Sequence, residues 1–307
     1  MPKSLQPDNV NYMSRFIFAA LGSFILTGAA AAQRVPGRDL LEFPLGLLAE
    51  AAPLSSQMIG GLWNPATGAL RSPSRAALGF AGLTTPQEQG VRLNQLAGAY
   101  NVRPNLTAQV SVASASISDL FRTETDPLTR GSELSYSTTL FSLGLAGARK
   151  DMRAGFMARY RRGNSDSERR GTFGVDGGVI FDRVVRTPVR FAASTFLFTP
   201  GGDEATYAAA ADVPLFARDS VIVIRVGEAI SYTQERGREG YSFATARYHG
   251  LDLSGGVSQS SAFGNSGMRL RLGCGLRYGG YTVAIAREDG AAGFGASYQF
   301  LFTRIFP

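Results

Sequence analysis

Cysteine, histidine and tryptophan each occur once in the 307 residues. A single cysteine, Cys274, rules out an intramolecular disulfide framework, and with a single histidine, His249, it also rules out an ordinary His/Cys metal cluster. No metal and no cofactor is therefore expected. Long hydrophobic runs are scarce too: beyond the N-terminus no segment approaches the ~20 apolar residues of a membrane-spanning helix. The formal charge is +7, but the arginines are scattered singly along apolar stretches and form neither a patch nor an arm, so nucleic acid is not an expected partner. Enzyme chemistry finds little to use. His249 is the one candidate base and sits in "RYHGLD", which reads as a tight turn, and there is no G-x-x-x-x-G-K phosphate loop. Neither enzymatic activity nor catalytic residues are expected.

What is present begins with "SRFIFAALGSFILTGAAAAQ", in which Arg15 precedes an apolar run from Phe16 to Leu26 that dissolves into alanines. This pattern predicts a secretory signal peptide over residues 1–32, cleaved near Ala32. Met13 offers an alternative start.

The rest of the chain is rich in segments of about ten residues with alternating hydrophobicity, which is the period of a strand. In "MRLRLGCGLRY" Met268, Leu270, Leu272, Cys274, Leu276 and Tyr278 share one face, and Arg269, Arg271 and Arg277 the other. Period alone fits both a soluble sandwich and a membrane barrel. Counting separates them. Strands are expected near 75–83, 90–101, 105–118, 133–147, 152–161, 171–182, 188–198, 204–214, 220–232, 240–248, 250–258, 267–278, 280–287 and 292–304. The odd connections are mostly longer and polar and the even ones mostly tight, as in a barrel with long extracellular loops and short periplasmic turns. The closing "GASYQFLFTRIFP" sets Tyr298, Phe300, Phe302 and Phe306 on one parity, suited to the lipid–water boundary. The fold expected for 74–307 is thus all-β: a closed antiparallel transmembrane β-barrel of about fourteen strands in the outer membrane of a Gram-negative-type bacterium. Membrane lipid and the outer-membrane assembly machinery are its expected partners.

Residues 33–73, between leader and first strand, read as neither helix nor strand. They carry Leu40, Leu41, Phe43, Leu45, Leu47, Leu48, Met58, Ile59, Leu62 and Trp63, too many apolar side chains to leave in water. A barrel of this size has a lumen that can be plugged, so the segment is expected there as a hatch. Within it, "GLWNPATGAL" reads as a stiff turn, because Pro65 restrains both its own backbone and that of Asn64, while Ala66 allows close wall contact.

The order of signal peptide, aromatic-Asn-Pro-Ala segment and fourteen-stranded barrel resembles the long-chain fatty acid transporters of the outer membrane (FadL-type) and their PorV-like relatives. The resemblance implies a hatch motif at Trp63, Asn64, Pro65 and Ala66, and passive passage of a hydrophobic molecule such as a fatty acid, sideways through the wall. Its other implications are a PorV-like barrel that docks or shuttles protein partners of a secretion system, and, more generally, a porin or structural barrel.

For the lumen, strand parity turns Arg153, Arg159, Arg269, Arg271 and Arg277 inward or to the rim, with Arg161 beside them. Two roles are open: pairing with a ligand carboxylate, or holding the hatch through its acids Asp39, Glu42 and Glu50 and wall acids such as Asp176 and Glu228. The second is favoured. Gly174, Gly178, Gly273 and Gly275 on the inward parity would leave room for hatch or ligand.

Overall fold

The computed structural model describes residues 35–307 except 72, 87–89, 119, 122–132, 167, 185–186, 200–204, 219–220, 235–236, 261–266 and 291–294. The leader expected over residues 1–32 lies outside the described residues. Fourteen strands follow one another: β1 (Ala76–Thr84), β2 (Val91–Arg103), β3 (Leu106–Ile117), β4 (Tyr136–Arg149), β5 (Met152–Ser165), β6 (Glu168–Phe181), β7 (Arg190–Phe196), β8 (Thr206–Arg218), β9 (Ile222–Thr233), β10 (Gly237–Tyr248), β11 (Leu251–Ser260), β12 (Met268–Tyr278), β13 (Tyr281–Glu288) and β14 (Ser297–Phe306). Each pairs antiparallel with its sequence neighbours, and β1 with β14, so the sheet closes into a barrel without an open edge.

Alternation sets which side chains face the lumen. On β14, Ser297, Gln299, Leu301 and Thr303 are buried while Tyr298, Phe300 and Phe302 are exposed. Tight turns at 104–105, 150–151, 249–250 and 279–280 gather with both ends of the barrel chain at one rim, called here the turn end. The opposite rim, the long-loop end, carries the longer connections. Two of its connections are shorter than expected: the polar "RRGNSDSERR" is mostly hairpin, because β5 runs to Ser165 and β6 starts at Glu168, and β10 starts at Gly237. Antiparallel ladders are held by backbone hydrogen bonds and continue past the apolar part of a strand. Pro214 lies at a register shift in β8, where the ladder does not need its missing N–H.

The core lies between the wall and what fills the lumen. Residues 35–71 form the plug, built on single-turn 3-10 helices at Asp39–Glu42, Ala52–Leu54, Met58–Leu62 and Pro65–Gly68. Of the apolar residues expected to need burial, all are buried except Phe43, which is partly so and packs against the same core. Leu45, Ile59 and Leu62 join the inward Leu83, Leu93 and Leu301 in one cluster. Each such side chain contributes on the order of 1.5–3 kcal/mol, an upper bound because the unfolded chain already buries some surface. Burial of this stripe therefore fixes the plug.

Candidate functional site

The plug's final turn is built on Asn64, which is fully buried. Its Oδ1 accepts from the Ala66 backbone N at 3.0 Å, capping the Pro65–Gly68 turn, and its Nδ2 donates to the Pro53 carbonyl at 2.6 Å. Pro65 at the first helical position needs no N–H partner, and its carbonyl accepts from Gln109 of β3 at 2.8 Å. Trp63 donates its indole N–H to the Leu45 carbonyl at 2.8 Å.

The wall beside this turn is irregular. β6 pairs with β7 only over Gly178–Phe181, and Val175 then bridges to Phe198, just beyond β7. Asp176 and Gly177 therefore face Thr195, Phe196 and Leu197, a β-bulge. Leu197 takes φ 56°, a costly conformation for a side chain of its kind. Gly177 N donates to Thr195 Oγ1 at 2.9 Å instead of to a ladder carbonyl. Phe196 keeps the inward parity of Ala192 and Ser194, so its ring enters the lumen, where it is 2% exposed, and lies 4.7 Å from that of Trp63, while the bulge also buries the next residue, Leu197. The guanidiniums of Arg38 and Arg159 lie 5.1 and 5.2 Å from the Phe196 ring. Arg159 forms an ion pair with Asp176, both side chains being fully buried, and donates to the Leu62 carbonyl of the plug at 2.5 Å. Asp176 accepts from the Phe198 backbone N at 3.1 Å. One residue pair thus ties the bulge to the plug. Arg159 Nη1 has no hydrogen-bond partner among the described residues.

The five candidate arginines do not form one cluster. Arg269 and Arg271 share Glu288 at 3.0 Å each, and Arg269 also reaches Glu239 at 3.0 Å. Arg277, at the other end of β12, pairs with Asp252 at 2.6 Å, and Arg153 pairs with Asp182 at 2.9 Å. All five, Arg159 included, are thus matched to wall carboxylates. The plug acids take other partners. Glu42 pairs with Arg38 of the plug itself, Asp39 accepts from Tyr136 at 2.6 Å, and Glu50 accepts from Ser56 Oγ at 2.6 Å and Ser56 N at 2.7 Å. Glu228, expected to be available to inward arginines, instead shares the outward parity of Ile230 and Tyr232 and accepts from Ser242 at 2.9 Å on the outer wall. Glu50 keeps some exposed surface but is enclosed by protein on most sides. Burial pushes its carboxyl above the usual range, and the Ser56 hydrogen bonds oppose that shift.

Close approach of plug to wall depends on glycines. A Cβ added at Gly178 would lie 1.9 Å from Asn64 Oδ1, and one at Gly155 would lie 2.4 Å from the Pro65 carbonyl carbon. Gly273 plays the same part for Leu48, whereas Gly174 faces Phe198 and Gly275 faces Ala284 of the wall.

Several plug-holding residues were not singled out from sequence. Gln95 donates to the Ile59 carbonyl at 3.0 Å, Tyr241 to that of Ala49 at 2.6 Å and Ser254 to that of Leu48 at 2.6 Å, while Gln299 accepts from Gly46 N at 2.8 Å. Arg161 donates to the carbonyls of Val35 and Pro36 at 2.8 and 3.0 Å. Uncharged polar residues on the lumen parity, such as Gln95, Gln109 and Gln299, were the available signal. An irregular plug exposes backbone groups that only wall side chains can satisfy.

No family model and no curated protein matches the chain. Solved structures share its fold. The toluene transporter TodX of Pseudomonas putida superposes with a TM-score of 0.57 at 10% identity, over 84% of this chain and 95% of that one. The toluene transporter TbuX of Ralstonia pickettii gives 0.56 at 9% identity, over 81% and 94%. A variant of the Rh. blastica porin gives 0.42 at 9% identity, over 76% and 99%.

Proposed function

We propose that this protein is an outer-membrane barrel for passive uptake of small hydrophobic molecules, with the plug closing the lumen and the β6–β7 bulge as the lateral exit. The observation that carries the reading is the coincidence of three features at one place. The wall ladder is interrupted between Asp176 and Leu197, the inner side of the interruption is the Trp63–Phe196 stack, and its outer side is an apolar groove of about 520 Å³. Gly177, Ala193, Thr195, Tyr207, Ile230 and Tyr232 line that groove. A molecule leaving the lumen here would pass the Phe196 ring, beside the paired Arg159 and Asp176, and reach apolar groups on the outer wall. The fold shared with the two toluene transporters supports this substrate class, and aromatic hydrocarbons and fatty acids both belong to it. In this reading the hatch motif Trp63, Asn64, Pro65 and Ala66 holds the plug against the exit. Arg153, Arg269, Arg271 and Arg277 stiffen the wall, and Arg159 Nη1, beside the exit, is one of the donors left for a ligand oxygen. A plug that fills the lumen speaks against a general porin.

The test is a reversible staple across the interruption. In a Cys274→Ser background, Val175→Cys with Phe198→Cys places thiols on directly opposed residues. Uptake of labelled toluene and of labelled oleate by cells carrying the protein is followed under oxidising and reducing conditions. Uptake of one or both should stop on oxidation and return on reduction; uptake of both unchanged by a formed disulfide would overturn the lateral exit.

A further inference from the structure

On the outer wall, strand register sets the lipid-facing side chains of β13, β14, β1 and β2 in rows. Arg287 lies opposite Tyr298, Tyr298 opposite Thr84, and Thr84 opposite Arg92. The next row runs Ile285, Phe300, Gly82, Asn94. With neighbouring strands ~4.8 Å apart, the Arg287 and Arg92 backbones stand about 14 Å from each other. Between them Gly82 leaves a depression that the Phe300 ring overhangs, since a Cβ there would lie 2.8 Å from the ring. The result is an external groove of about 770 Å³ across the seam where the barrel closes.

Its chemistry is unusual for a lipid-facing surface. Charged side chains on that face carry a cost that grows with depth, and here Asn94 and Arg92 lie side by side on the outward parity of β2, both exposed. Arg92 has no carboxylate partner among the described residues. Arg287 contacts Asp289 at 2.8 Å, but both side chains are exposed, and such a pair leaves other guanidinium N–H groups available. Both arginines lie at the long-loop end, Arg92 as the second residue of β2 and Arg287 as the penultimate residue of β13. In the outer-membrane reading that end borders the outer leaflet, where headgroup phosphates meet acyl chains.

We propose that this groove is a binding site for a phosphorylated lipid of the outer leaflet. Its phosphates pair with Arg92 and Arg287, Asn94 and Thr84 supply further polar contacts, and an acyl chain lies along Ile285 and the Phe300 ring that Gly82 lets settle on the wall. Guanidinium fits phosphate through paired N–H donors, which a lysine does not offer. The site rests on the outer-membrane reading but not on uptake: a protein that transports nothing and still holds the lipid leaves it standing.

The test uses the full chain purified in detergent and native mass spectrometry. The probes are bisphosphorylated lipid A, the same lipid dephosphorylated, phosphatidylethanolamine, and inorganic phosphate alone. The expected result is one retained copy of bisphosphorylated lipid A, with affinity falling about tenfold or more in Arg92→Glu/Arg287→Glu. Arg103→Glu, at the end of β2 on the opposite rim, should bind as the unaltered protein does, and Gly82→Leu should weaken binding by pushing the Phe300 ring into the groove while keeping both charges. Heat-modifiable gel migration verifies that each variant is a folded barrel. Equal retention of the dephosphorylated lipid, equal retention by the double variant, or binding of inorganic phosphate as tight as that of the lipid would each overturn the proposal.

Discussion

Trp63 of the plug packs on Phe196, the last inward residue of β7 before the bulge, with ring centroids 4.7 Å apart and planes tilted by 38°. The two rings cover one another: Phe196 points inward on the parity of Ala192 and Ser194, and Trp63 is held against it by its bond to the Leu45 carbonyl. Truncating either ring should therefore loosen the plug and not the barrel. Trp63→Ala and Phe196→Ala are each expected to cost ~3–5 kcal/mol of plug docking. The measurement is hydrogen exchange across residues 58–70, which should accelerate while strands away from the bulge keep their protection.

The Arg159–Asp176 pair joins the same two parts. Removing one partner leaves an uncompensated buried charge, so Asp176→Asn should destabilise by ~3–5 kcal/mol. The double variant Arg159→Met/Asp176→Leu should lose less than the sum of the singles, because it removes both charges together. Denaturant unfolding in a double-mutant cycle checks this, and additive losses would show that the two side chains act separately.

Wall glycines make a steric prediction. Gly178→Val and Gly155→Val put side-chain atoms where Asn64 and Pro65 sit, so the barrel should still close while the plug's final turn cannot dock. In planar bilayers both variants should show conductance well above the unaltered protein, and limited proteolysis should cut within residues 58–70.

Glu50 makes the plug sensitive to pH. Its carboxyl is raised in the folded state, so folding favours the protonated form. This contribution is present at low pH and is lost as pH rises above the ordinary glutamate range and through the raised folded value. Exchange protection around residues 48–57 should accordingly be greatest in mild acid and decline toward neutrality, and Glu50→Gln should flatten that decline. An identical pH dependence in both proteins would remove Glu50 from the account.

The barrel was legible because its grammar is local. Alternation in segments such as Met268–Tyr278 reports which side chains meet lipid, and even strand number with sorted connections reports closure. The plug was legible by elimination, since residues such as Leu45, Ile59 and Leu62 had no other place to be buried. The inward parity of the candidate arginines could likewise be read, but their partners could not. Glu288, Asp252, Asp182 and Asp176 lie on neighbouring strands or just beyond them, and the register that sets one strand against the next is not written in the periodicity of either.

What the sequence by itself determined is therefore the set of faces: strands with one side for lipid and one for the lumen, and an apolar segment that must be covered. What only the tertiary structure decided is where those faces meet. The bulge at Asp176–Leu197, which buries Leu197 beside Phe196, depends on a shift of one residue in strand pairing, and one residue exchanges the two faces of a strand. The docking of Asn64 against Gly178 likewise depends on residues more than a hundred positions apart, whose closeness exists only once the barrel has closed.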